Sequence, residues 1–174
     1  MSNSSCGVCG KRDLSDLQLG TAVARLQPRQ KLDPALLAAM TAKMAERQDV
    51  FKSTGGCHAA AAFTINGQLL EIHEDVGRHN AVDKVIGALL ENRTLDQAQC
   101  LHVSERVSYE IVSKTHRAAI CYLIAVSSPS SMAVEITQTW GITLIAFCRD
   151  GRATVYANRE NILLENQGAP CRNT

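Results

Sequence analysis

Two cysteines three positions apart, Cys6 and Cys9, lie in the stretch SSCGVCGKR (residues 4–12), among small residues and just ahead of Lys11 and Arg12. Such a pair can supply half of a zinc site, a reversible disulfide, or a thiolate that accepts sulfur and hands it on. Structural zinc needs four ligands, commonly from two close pairs. Cys57, Cys100, Cys121, Cys148 and Cys171 are isolated in the chain, so no zinc is expected. A thioredoxin-type pair opens a helix after a strand, whereas this one sits in a Gly-rich arm. A sulfur carrier needs an accessible thiolate that attacks a donor persulfide and then swings to an acceptor. Gly7 and Gly10 permit the movement, Lys11 and Arg12 favour the thiolate, and the second thiol assists release. The residues alone leave the three readings open, with carrier chemistry the best fit.

A second concentration of functional side chains is HEDVGRHN (residues 73–80). Arg78 and a helix start near Asn80 can together hold an anion. Glu74 and Asp75 can orient Arg78 or accept from a base or ribose, and His79 can donate or exchange a proton. TGGCHAA (54–60) enters a strand through two glycines that allow close backbone approach. There His58 is a candidate, and Cys57 reads as a small buried residue. SERVSYE (104–110) brings Glu105 and Arg106, SSPSS (127–131) brings Ser127 and other hydroxyls, and FCRDGR (147–152) brings Arg149 and Arg152. Arginines, hydroxyls and histidines at successive strand ends suit a phosphate-bearing ligand.

The elements that must position these groups follow from hydrophobic period and turn signals. DPALLAAMTAKMAERQ (33–48) reads as a helix with Asp33 as N-cap and Pro34 at the first position. Asn66-Gly67 predicts a two-residue hairpin turn with positive φ at both residues, joining strands HAAAAFTI and QLLEIHEDV. Ala81, Val82, Val85, Ile86, Leu89 and Leu90 form the apolar stripe of the next helix. Then CLHVS, CYLIAVSS, ITLIAFCRD and ATVYAN read as strands, with helices SYEIVSKTHRAAI and SSMAVEITQTW between the first three. Alternation of this kind implies an α/β sheet covered on both faces, with ligands at the carboxyl ends of strands. Residues 1–31 read as a mobile arm carrying the cysteine pair, 32–165 as one domain and 166–174 as a frayed tail.

The chain has 174 residues and a net charge of +1, so composition gives no argument for nucleic acid or an anionic membrane surface. No stretch approaches the length of a membrane span, and the start has no secretory pattern. Seven cysteines, an odd number and most of them far apart, fit a reduced cytoplasmic protein better than a disulfide scaffold.

Taken together, CGVCG, TGGCHAA, EDVGRHNAVDK, SERVSYEIV, SSPSSMAVE and GITLIAF resemble the FdhD family of formate dehydrogenase accessory sulfurtransferases, over Cys6 to about Tyr156. The resemblance implies a three-layer α/β/α, cytidine-deaminase-like mixed sheet. It implies sulfur transfer from a cysteine desulfurase to the molybdenum bis(molybdopterin guanine dinucleotide) cofactor for formate dehydrogenase, with GDP as a partial mimic of that cofactor. Carried over, Cys6 is the persulfide cysteine and Cys9 its companion. The cofactor-binding stretch corresponds to Ile145, Ala146, Phe147, Cys148, Arg149 and Asp150, joined by Asp75, Arg78, His79, Glu105, Arg106 and Ser127 from the strand-end motifs. A homodimer is expected. Family members carry a further N-terminal region before the cysteine pair, which here stands at residue 6. A delivery chaperone without obligatory sulfur transfer is the alternative. A zinc deaminase is disfavoured. Where such an enzyme opens one helix with H-x-E and the next with P-C-x-x-C, this chain has His79-Asn80-Ala81 and a cysteine-free SERVSYE.

Overall fold

The computed structural model describes residues 24–163. Cys6, Cys9 and Cys171, and the expected tail, lie outside the described residues. Two short helices come first, α1 (Leu36–Glu46) and α2 (Asp49–Thr54), then strands β1 (His58–Phe63) and β2 (Leu69–Asp75). They are followed by α3 (Arg78–Glu91), β3 (Cys100–Val103), α4 (Tyr109–Arg117), β4 (Tyr122–Ala125), α5 (Ser131–Trp140), β5 (Thr143–Arg149) and β6 (Arg152–Ala157). The strands form one six-stranded mixed sheet in the order β2-β1-β3-β4-β5-β6. β3, β4 and β5 run parallel, and β1, β2 and β6 complete the sheet through antiparallel pairings.

Strand alternation splits the core in two. Ala60, Ala62, Leu101, Val103, Leu123, Ala125, Leu144 and Ala146 face α3, α4 and α5. Ala59, Ala61, Phe63, Cys100, Tyr122, Ile124 and Ile145 face α1, where Leu37, Met40 and Met44 cover them. The result is the expected α/β/α layering. The four consecutive alanines of β1 suit a strand buried on both faces, because they let helices close on the sheet from either side.

Local chemistry departs from the sequence reading at several points. α1 starts at Leu36 with Ala35 as its N-cap, not at Pro34 with Asp33; Asp33 Oδ1 instead accepts from Ala35 N–H at 2.9 Å in the turn that leads into the helix. The hairpin after β1 is not the expected two-residue turn. Gly67 alone has positive φ (75°), Gly67 N–H donates to Thr64 O at 3.0 Å, and the register shifts beside Phe63. The turn with two positive-φ residues is instead Asp150-Gly151 (53° and 69°), which joins β5 to β6. α2 was not expected. Its first turn is held from outside by Glu74, whose carboxylate accepts from Val50 and Phe51 N–H at 2.8 Å each. Residues 24–31, expected in the arm, are anchored. Leu26 N–H donates to Trp140 O at 2.8 Å, and the Tyr122 hydroxyl lies 2.7 Å from Gln30 O.

Candidate functional site

Because β1 is antiparallel to β3, and β2 to β1, the start of β1 and the end of β2 meet the carboxyl ends of β3, β4 and β5 at one sheet edge. His58 pairs with Asp75 across that edge. The loops after β3 and β4 lie side by side. Val107 N–H donates to Ser128 O at 3.1 Å and Ser130 N–H to Val107 O at 3.0 Å. The motifs read separately in the sequence are thus brought together.

Three clefts open along this edge. The first, about 600 Å³, runs between α1–α2 and the sheet and is lined by Phe51, Gly55, Cys57, His58, Glu105 and Ser127, among others. The second, about 370 Å³, is lined by Arg78, Arg106, Ser108, Ser128 and Ser130, where α4 and α5 begin. The third, about 590 Å³, lies between α1 and the β5–β6 hairpin and includes Thr41, Cys148, Arg149, Asp150 and Arg152.

Within the first cleft His58 Nδ1 stands 3.0 Å from Glu105 Oε2. The approach is close but not a directed hydrogen bond, and both Glu105 oxygens are otherwise without partners among the described residues. Burial raises the Glu105 carboxyl to about 7, against the pull of the Arg78 cation. In the second cleft Arg78 Nε is buried without a partner among the described residues, and the cleft combines two guanidiniums, three hydroxyls and helix starts. That donor set fits a tetrahedral oxyanion.

A model of the FdhD/NarQ family matches residues 1–163. The chain belongs to the FdhD/NarQ family. It is 44% identical to a sulfur carrier protein FdhD from Sulfolobus acidocaldarius over 92% of its own length, and 47% identical to one from Mycolicibacterium paratuberculosis over 91%. It spans about three fifths of the length of these relatives, 61% and 59% respectively. A crystal structure from Desulfotalea psychrophila that carries the name formate dehydrogenase accessory protein superposes with a TM-score of 0.74. The identity is 30%, over 80% of this chain and 60% of that one.

Against this FdhD/NarQ frame the expected site residues separate. Arg78, Glu105, Arg106, Ser127, Cys148, Arg149 and Asp150 all line a cleft. Ile145 and Ala146 are wholly buried on opposite faces of β5 and reach no ligand through their side chains. Phe147 packs toward the helical layer and its ring lies 6.3 Å from that of Tyr156. It holds φ at 54°, rare for an aromatic residue, and makes a bulge that returns Cys148 to the α1 face.

Asp75 is engaged at the β2–α3 corner rather than in a cleft. Its Oδ1 accepts from Gly77 N–H at 2.8 Å and from Asn80 Nδ2 at 3.1 Å, and Lys84 Nζ lies 2.5 Å from Oδ2. Lys84 first, and the Gly77 and Asn80 donors after it, hold this carboxyl down at about 2. The corner brings the α3 start forward to Arg78, with Gly77 as N-cap, instead of near Asn80. Glu74 caps α2 and does not orient Arg78. His79 Nε2 lies 3.4 Å from Ser108 Oγ and 3.8 Å from Glu110 Oε2. Burial first, and the Arg78 cation second, depress its pKa.

Cys57 is half-buried in the first cleft, not a small core residue. Sequence reasoning missed His102, wholly buried under α1, with Nε2 2.9 Å from Thr41 Oγ1, itself 3.4 Å from Cys148 Sγ. A histidine inside the apolar strand CLHVS was the available signal. Burial lowers its pKa to about 4, so it is neutral at ordinary pH. Among the described residues no three metal-ligating side chains gather, and no helix is long and apolar enough to cross a membrane.

Proposed function

We propose that this chain is a sulfurtransferase of formate dehydrogenase maturation. It carries sulfur on Cys6 from a cysteine desulfurase to molybdenum bis(molybdopterin guanine dinucleotide), its cargo, held at the strand-end clefts. The observation that carries this reading is the convergence of Arg78, Arg106, Ser127 and Cys148–Asp150 on one edge, in a chain with a CxxC pair and relatives named as sulfur carriers. The Cys6 thiolate attacks the terminal sulfur of the donor persulfide. A new S–S bond forms, the donor's S–S bond breaks, and the donor leaves as its thiolate, so no oxidant is needed. For release, the Cys9 thiolate attacks Cys6 Sγ and expels hydrosulfide. The resulting Cys6–Cys9 disulfide is returned to thiols by a cellular dithiol, which places the cycle in the cytoplasm. The working unit in this reading is a homodimer.

The second reading, a delivery chaperone, draws on the same clefts, whose arginines and hydroxyls suit the cargo's nucleotide end whether or not sulfur is transferred. Both readings require the nucleotide end of the cargo to bind. Its diphosphate suits the cleft of Arg78 and Arg106. Guanine presents N1–H and a 2-amino group to the strand-end backbone carbonyls of the edge, and adenine lacks that donor pair. Each acceptor left unsatisfied costs about 1–3 kcal/mol, so GDP should bind roughly tenfold or more tighter than ADP. Calorimetry on the wild type and Arg78→Ala checks this. The variant should weaken both nucleotides alike, because it removes a phosphate contact. Equal affinity for GDP and ADP in the wild type would remove the base-reading part.

A further inference from the structure

We propose that His58 and Glu105 form a proton-carrying pair for the sulfur handover in the cleft beneath α2, Glu105 holding the proton and His58 presenting it; this rests on the sulfur-carrier reading. The geometry is that of a hidden acid behind an accessible imidazole. The Glu105 side chain is 5% exposed and that of His58 43%, with Nδ1 3.0 Å from Oε2 and both residues lining one cleft. Both ends are fixed by backbone. His58 opens β1 opposite Asp75. The loop of Glu105 is pinned to β1 by Ser104 N–H donating to Ala59 O at 3.0 Å and Ala59 N–H donating to Ser104 Oγ at 2.9 Å.

The charged groups that face Glu105 are His58 from β1, Arg78 from the start of α3 and Arg106 from its own loop. The remaining linings of the cleft, from α1, α2 and the loop after β4, are uncharged. With its carboxyl at about 7, Glu105 is divided between acid and carboxylate near neutrality. A permanent acceptor for guanine has to stay ionised. A group so divided is suited to moving a proton instead.

The handover needs one. Hydrosulfide released from Cys6 replaces an oxo ligand of the cargo's metal. The metal–oxygen bond breaks, a metal–sulfur bond forms, and the oxygen leaves as water. That water takes the hydrosulfide's proton and one more, with no change in oxidation state. His58 gives the second proton from Nε2 and, with its imidazole turned to align Nδ1 with Oε2 across their 3.0 Å approach, regains one from Glu105.

The test compares wild type, Glu105→Gln and His58→Gln in three measurements: Cys6 persulfide loading by intact mass, GDP and ADP calorimetry, and activation of formate dehydrogenase in a carrier-free extract from pH 6 to 8.5. Both variants should load sulfur and prefer GDP as the wild type does, yet activate on the order of a hundredfold more slowly at neutral pH. Wild-type activation should fall as pH rises through about 7, where Glu105 loses its proton, and Glu105→Gln should lose that limb. Should Glu105→Gln fail to fold, His58→Gln reads the same limb. Wild-type rates and an unchanged profile in the variants would overturn the pair. Loss of the GDP preference in Glu105→Gln with the limb intact would make Glu105 a base reader instead. A wild type that never loads sulfur would overturn the carrier reading, and the pair with it.

Discussion

Replacing Gly141 with alanine is expected to destabilise the fold by about 3–5 kcal/mol, a large share of the roughly 5–15 kcal/mol typical of a domain. Gly141 ends α5 at φ 77°. A Cβ there would stand 2.1 Å from Leu26 O, a backbone atom, and 2.8 Å from Arg25 Cγ. The left-handed conformation alone costs about 1–2 kcal/mol. The rest comes from displacing the 24–31 segment. That move breaks Leu26 N–H to Trp140 O, and the Arg25 bonds to Gln138 O at 2.7 Å and Asn158 Oδ1 at 2.8 Å. Gly151 is the control. It has φ 69° but nothing within 4 Å of a built Cβ, so Gly151→Ala should cost only the conformational part, about 1–2 kcal/mol. Chemical denaturation of both variants decides, and equal losses would contradict the packing account of Gly141.

Replacing Cys6 with alanine should reduce formate dehydrogenase activation to background while leaving GDP binding intact. In the proposed cycle the Cys6 thiolate forms the new S–S bond, and without it Cys9 has no persulfide at position 6 from which to expel hydrosulfide. The variant also separates the two functional readings. A delivery chaperone would still activate the enzyme without Cys6, whereas a sulfur carrier would not. Normal formate dehydrogenase activity in cells carrying only Cys6→Ala would therefore remove the persulfide role and leave the chaperone reading standing.

Much of this architecture was legible because the strong signals are local. The apolar stripe of α3 and the buried apolar runs of β4 and β5 announce themselves in sequence. What was not legible depends on partners far along the chain. α2 owes its first turn to a carboxylate from β2. Asp75 looked like a ligand because its engagement with Lys84 and Asn80 appears only when the corner folds. Asn66-Gly67 has the composition of a tight hairpin turn, yet the register shift beside Phe63 makes a wider one, and Asp150-Gly151 takes the tight form. The clustering of cleft residues was readable, since all parallel strands end at one edge. The pairing of His58 with Glu105 was not, because no sequence spacing encodes a contact between the start of one strand and the loop after another.

The central claim is that sulfur travels on Cys6, and intact-mass spectrometry after incubation with a cysteine desulfurase and cysteine tests it most directly. The wild type should gain the mass of one sulfur, a dithiol should remove it, and fragmentation should place it on the peptide containing Cys6. A wild-type mass unchanged under conditions in which the desulfurase is turning over, or an added sulfur that persists in Cys6→Ala, would contradict the account.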